Sequence, residues 1–254
     1  MRNKRPSTTA TFGHTFSNHP LLRIAVHPTP PRKSNAQSPT MTPDTFQSLV
    51  FDKEALVLPD DARTLCAVLV LPHIYYYFLW TNPKAWLARC KKHKWGDACH
   101  AMANGAHVFK AAQFYALYRW YTTAGAGAWA NDWAGVAQWQ WLVAVACAGA
   151  GQFLNYSIYK AIGEDGVYYG TKFGKHIPWC YDFPFDRPWL RHPQYLGVVL
   201  TLVGACTLLA TRAHVEAGLV GVFVFWVACY AFTAYQEDHP EWSEKAKAKG
   251  TKGK

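Results

Sequence analysis

Arg191 and His192 stand side by side in the run RHPQY, ahead of Pro193 and Tyr195. A guanidinium offers paired donors that match a carboxylate or phosphate, and an imidazole titrates near neutrality and can move a proton. Together they suit an anionic group. Two acids, Glu237 and Asp238, close a long apolar run in YQEDH. Carboxylates there attract a cation or bind ribose hydroxyls. Each of these residues also has a plainer reading. Arg191 would anchor a membrane span at the interface, His192 would start a helix before a proline, and the acids would form a solvated helix end.

Glycines form the second group. Gly149-Ala150-Gly151 lies inside an apolar run, and the stretch 163–174 reads GEDGVYYGTKFG. A dinucleotide-binding G-x-G-x-x-G must follow a strand and open a helix. Neither glycine group has that context, and there is no Walker lysine motif, so a soluble nucleotide fold is excluded. Gly166, Gly170 and Gly174 are spaced by four. They are predicted to share a helix face against which a second helix packs closely. Gly149 and Gly151 are two apart and do not share a face, which suits a place where backbone meets a ligand.

These residues need elements to hold them. The 254 residues are 50% hydrophobic and 16% aromatic, with 12 Trp. A mean hydropathy of -0.12 averages polar ends with a far more apolar middle. Five apolar segments follow one another, at about 64–80, 98–121, 137–162, 195–211 and 215–235. A membrane-crossing helix needs about 20 largely apolar residues. The third and fifth meet this easily, the first and fourth are marginal, and the second carries Lys110 and Arg119. Consecutive segments of this kind predict an all-α, multi-span integral membrane helix bundle with four to five transmembrane helices.

The formal net charge is +10. It lacks a zinc-finger or RNA-binding signature and is gathered between the apolar segments, which argues against nucleic acid. Basic clusters follow segments one and three and fill the C-terminal tail, while the other two connections are nearly bare. This alternation predicts a cytoplasmic C-terminus. Three parts are expected: a polar tail over 1–63, disordered or targeting; a membrane domain over 64–239; and a basic cytoplasmic tail over 240–254. Residues 1–43 contain no Asp or Glu, as transit peptides do, and Met41 is an alternative start. Seven scattered cysteines without C-x-x-C predict buried free thiols, with no disulfide framework and no zinc site.

GAGQFLNYSIYKAIGEDGVYYGTKFG, then FPF, then HPQYLG, then an apolar helix ending YQE resembles the phosphatidylethanolamine N-methyltransferase family. The upstream TNPKAWLARCKKHK is similar to that family's basic stretch after its first helix, and the resemblance spans about 65–244. RHPQYLG alone is also similar to isoprenylcysteine carboxyl methyltransferases and sterol reductases. The family resemblance implies methyl transfer from S-adenosylmethionine to the amine of phosphatidylethanolamine or its mono- and dimethyl forms, inside a bilayer. It implies an endoplasmic reticulum membrane, with the acid-free N-terminus keeping a mitochondrial one open. It implies cofactor contacts at Gly149, Ala150 and Gly151, and at an acid pair after the last span. Counting from Tyr235, that pair falls on Gln236 and Glu237, with Gln where the family has Glu. Arg191 and Tyr195 join the cofactor set. His192, Asp186 and Glu237 are the candidate bases for the lipid amine, which must shed a proton before it attacks.

Overall fold

A computed structural model describes residues 58–124, 136–178, 180–187 and 189–239, all within the unit Pro39–Lys254. Of the tails expected over 1–63 and 240–254, residues 60–63 form the start of the first helix, and 1–57 and 240–254 lie outside the described residues. Those residues form helices: α1 (Asp60–Thr81), α2 (Pro83–His93), α3 (Ala98–Ala124), α4 (Gln138–Val167), a 3-10 turn (Gly170–Phe173), α5 (Pro193–Leu209), α6 (Arg212–Glu216) and α7 (Leu219–Asp238). Three are long and apolar enough to cross a membrane: α1, α4 with the turn after it, and α7. The apolar α5 is shorter. The five apolar segments thus become α1, α3, α4, α5 and α7, a membrane helix bundle.

Local chemistry sets the ends. Asp60 and Asp61 occupy the first turn of α1, where the helix dipole favours anions. Asn82 separates α1 from Pro83, which takes the first position of α2, where a missing N–H costs nothing. Asp97 Oδ1 accepts from the backbone N–H of Cys99 and of His100, both at 3.0 Å, and so caps α3. Pro72 lies inside α1, where a proline removes a backbone donor and crowds the preceding turn. Gln113 of α3 donates to the Leu69 carbonyl of that turn at 2.8 Å.

α4 and α5 form the tightest pair. A Cβ on Gly151 would collide with the Gly197 carbonyl, and one on Gly204 would stand 2.8 Å from the Ala144 carbonyl. Small residues let these backbones touch. Gln140 of α4 adds a bond to the Thr207 carbonyl at 2.9 Å.

The glycine stretch departs from expectation. Gly166, Gly170 and Gly174 do not share a helix face. α4 kinks at Gly163, where φ is 66° and ψ is -179°. Tyr169 then adopts the left-handed conformation with φ 59°, and Gly174 does so with φ 86°. A spacing of four reads as helix only while every intervening φ stays helical, and here Tyr169 breaks it between Gly166 and Gly170. The close packing expected of those glycines occurs at Gly151, Gly197 and Gly204 instead.

One ion cluster ties this turn to α3. Lys175 Nζ lies 2.8 Å from Asp97 Oδ2 and 2.5 Å from Asp165 Oδ1. Asp97, Cys99 and Asp165 place ligand-type atoms within 4.8 Å of one another, but the ammonium already stands between the carboxylates. The Lys175 bond holds the Asp97 carboxyl below the usual carboxylate range, and the two acids hold the Lys175 ammonium above the usual lysine range. All seven cysteines are free, and Cys66, Cys90, Cys99 and Cys229 are buried.

Candidate active site

Glu237, in the last turn of α7, is the centre of the polar cluster. Its Oε1 accepts from the hydroxyl of Tyr195 at 2.6 Å and from that of Tyr169 at 2.8 Å. Bonds to an ionised acceptor are short and strong, and these two aim the carboxylate. Its Oε2 lies 3.7 Å from His192 Nδ1. His192 Nε2 lies 3.2 Å from Asp238 Oδ2, off the line of a hydrogen bond, so this buried nitrogen has no hydrogen-bond partner among the described residues. Arg191 Nη1 approaches Asp238 Oδ2 at 3.6 Å with its side chain 74% exposed.

The local sequence explains the placing. Pro193 takes the first turn of α5, with His192 as the preceding cap residue. That puts Arg191 and His192 just outside the helix and Tyr195 in its first turn. The imidazole stacks on the Tyr195 ring at 5.6 Å between centroids. Tyr169 arrives from the left-handed bend after α4, and its ring meets Trp80 of α1 edge-on at 5.0 Å. Lys172 stands 3.9 Å above the Trp80 ring. A cavity of about 190 Å³ opens here, walled by Trp80, Phe185, Tyr169, His192, Tyr195 and Glu237 among others. It offers aromatic faces and a carboxylate for a cation, and an Arg–His pair for an anion. A zwitterionic ligand carrying a further positive centre matches both.

Of the residues singled out in sequence, Arg191, His192, Tyr195 and Glu237 come together at this cavity. Gln236 is buried, at 4% exposure, and does not line it; Asp238 takes the second acidic position near His192. Asp186 pairs with the Nε of its neighbour Arg187 at 3.2 Å, and Phe185 reaches the cavity instead. Gly149 and Ala150 are exposed on α4, and Gly151 is packed on α5; none of the three lines the cavity. Sequence reading missed Tyr169 and Trp80. Tyr169 sat in view within VYYG, but its left-handed backbone had no local signal.

No solved structure matches the chain. The profile described as phospholipid methyltransferase matches residues 139–239, which runs from the start of α4 through the acids of α7. A phosphatidyl-N-methylethanolamine N-methyltransferase of Arabidopsis thaliana is 32% identical over 183 residues, covering 71% of this chain and 94% of that protein. With the cluster of Tyr169, His192, Tyr195 and Glu237 inside the matched segment, the chain belongs to the phospholipid methyltransferase family and is a methyltransferase.

Proposed function

We propose that this protein transfers methyl groups from S-adenosylmethionine to the amine of phosphatidylethanolamine, its mono- and dimethyl forms, or both, towards phosphatidylcholine. The observation that carries the reading is the Glu237 carboxylate, aimed by two tyrosines beside an imidazole and a guanidinium at one aromatic cavity. The name of the Arabidopsis relative supports the monomethyl lipid as an acceptor.

The donor set fits the cofactor by its chemistry. The cofactor carries a carboxylate, an ammonium, ribose hydroxyls and a sulfonium. Arg191 and the open Nε2 of His192 would hold the carboxylate. Glu237 would take the ammonium or the ribose hydroxyls, and its tyrosine partners keep it from swinging away. When bound, the cofactor supplies an electrophilic methyl group on sulfur. Positioning then carries much of the rate enhancement. Gly151 contributes by seating α5 on α4, which fixes where RHPQY begins. The bilayer brings the phospholipid acceptor to the helices sideways. We place the protein in the endoplasmic reticulum membrane on the family resemblance, with polar tails flanking the membrane domain.

Purified protein in nanodiscs, given methyl-labelled S-adenosylmethionine, should label phosphatidylethanolamine or one of its mono- and dimethyl forms. Unlabelled lipid with all three acceptors would reject the reading.

A further inference from the structure

A second cavity, of about 290 Å³, lies between α1, α3, α4, α5 and α7, with His73, Lys110, Asn155, Gln194 and Tyr230 in its walls. Val167, Tyr169, Gln194 and Tyr195 line both this cavity and the one at Glu237, so the two tyrosine rings belong to the wall between them. No acid lines the inner cavity. Lys110 makes no ion pair or hydrogen bond with any described residue. A lysine inside a membrane bundle without a partner marks a site for an anion.

His73 carries a second, independent signal. Its Nδ1 lies 2.9 Å from Thr233 Oγ1, and the Thr233 hydroxyl donates its one proton to the Cys229 carbonyl at 3.0 Å. The hydroxyl can only accept from His73, so the ring proton sits on Nδ1. In the neutral ring, Nε2 is then a bare lone pair. That nitrogen is buried and has no partner among the described residues. Tyr76 and Tyr230 stand edge-on to the imidazole, at 6.4 and 4.7 Å between centroids.

A third cavity, of about 360 Å³, is lined almost wholly by apolar side chains. It lies further along three of the same helices. Lys110 gives way to Phe114 on α3, Val198 to Leu202 on α5, and Tyr230 to Trp226 on α7. Each step is four residues, about one helical turn, and all run towards the same end of the bundle. On the other side, His107 of α3 and Gln152 and Tyr159 of α4 line the inner cavity while exposed, which opens it sideways between those helices.

We propose that these two inner cavities form one binding site for the phospholipid acceptor. Lys110 takes the headgroup phosphate, His73 Nε2 takes the proton of the headgroup ammonium, and the apolar cavity takes part of an acyl chain. In the proton step an N–H bond of the ammonium breaks, a new N–H bond forms at Nε2, and the lone pair left on the amine is the one that methylation consumes. The imidazolium later releases its proton to water. The titratable groups lining the cavity with His73 are Tyr76 on its own helix, Lys110 and His107 on α3, Tyr159 on α4, Tyr168 and Tyr169 in the bend after it, Tyr195 on α5 and Tyr230 on α7. The proposal rests on the phospholipid acceptor of the proposed function.

The test uses nanodiscs containing phosphatidyl-N-monomethylethanolamine, with S-adenosylhomocysteine binding measured in parallel. Lys110→Met should weaken retention of this lipid in native mass spectrometry and raise its KM about tenfold or more, with S-adenosylhomocysteine affinity unchanged. His73→Gln should lower kcat about 100-fold and abolish the fall of kcat at acid pH. Ala205→Phe, in the apolar cavity, should shift kcat/KM from dioleoyl towards dihexanoyl acceptor by about tenfold, the worth of fewer than two buried methylenes. Wild-type lipid retention and KM in Lys110→Met, or an acid limb that persists in His73→Gln, would overturn the proposal. So would joint loss of lipid and S-adenosylhomocysteine binding, which would assign the cavity to the cofactor. A wild-type protein that retains the lipid through Lys110 but never labels it would instead reject the proposed function and leave the lipid site standing.

Discussion

Tyr169 and Tyr195 spend both hydroxyl protons on one oxygen of Glu237, which leaves the other oxygen to His192 and to a ligand. Removing only the charge tests what that arrangement is for. Glu237→Gln keeps size and acceptor geometry but loses the attraction for a cation. S-adenosylhomocysteine affinity should fall about 10- to 100-fold, since a hydrogen bond to a charged group is worth about 1.5–3 kcal/mol. Titration calorimetry on nanodisc protein measures it, and wild-type affinity would move the cofactor elsewhere. The residues of RHPQY were legible because proline starts a helix and sets its neighbours at the mouth. Glu237 was legible as an acid closing an apolar helix. Tyr169 was not, because its position depends on a left-handed bend that no short-range pattern announces.

Elements tell a similar story. All five apolar segments were readable, and the structure extends or trims each by only a few residues. The hinge at Gly163 was not, and glycines spaced by four look helical until Tyr169 breaks the repeat with φ 59°. The packing glycines were misplaced for a related reason. Gly151 meets α5 by tertiary contact, while a Cβ on Gly149 would meet nothing within 4 Å. Gly151→Val should therefore overpack the α4–α5 crossing and lose about 1–3 kcal/mol, whereas Gly149→Ala should be neutral or gain up to about 1 kcal/mol. Thermal unfolding in nanodiscs distinguishes them, and loss of S-adenosylhomocysteine binding in Gly149→Ala without loss of stability would restore a ligand role to the outer glycine. The Asp97–Lys175–Asp165 cluster is also an element-scale device, pinning the turn after α4 to the start of α3. Asp97 titrates lower when folded, so its contribution is present above about pH 4 and fades as pH falls through the depressed folded value. Lys175 titrates higher when folded, so its contribution is whole below about pH 10 and fades as pH rises through the raised folded value. Lys175→Met should speed amide hydrogen exchange over 163–175 at neutral pH, and unchanged exchange would mean the pin holds nothing.

At the scale of the molecule, charge and helix order set orientation. α2 ends in Lys91 and Lys92, whereas the α5–α7 connection has Arg212 as its one Lys or Arg, and that arginine pairs with Glu216. The positive-inside rule puts the first in the cytoplasm and the second across the bilayer. A membrane-impermeant thiol reagent should reach Lys94→Cys from the cytoplasmic side and Arg212→Cys only from the other. Labelling of both from one side would invert or fold back the arrangement.

The tyrosine partition has a kinetic consequence. With the cofactor and lipid bound as proposed, the wall that holds Tyr169 and Tyr195 would let a spent cofactor leave past exposed Arg191 while a lipid stayed where it is, held from the α3–α4 side. Turnover is then free to be processive: one bound lipid can meet several cofactors in succession. In a pulse–chase with excess unlabelled monomethyl lipid added late, a labelled monomethyl intermediate should proceed to dimethyl lipid without being diluted.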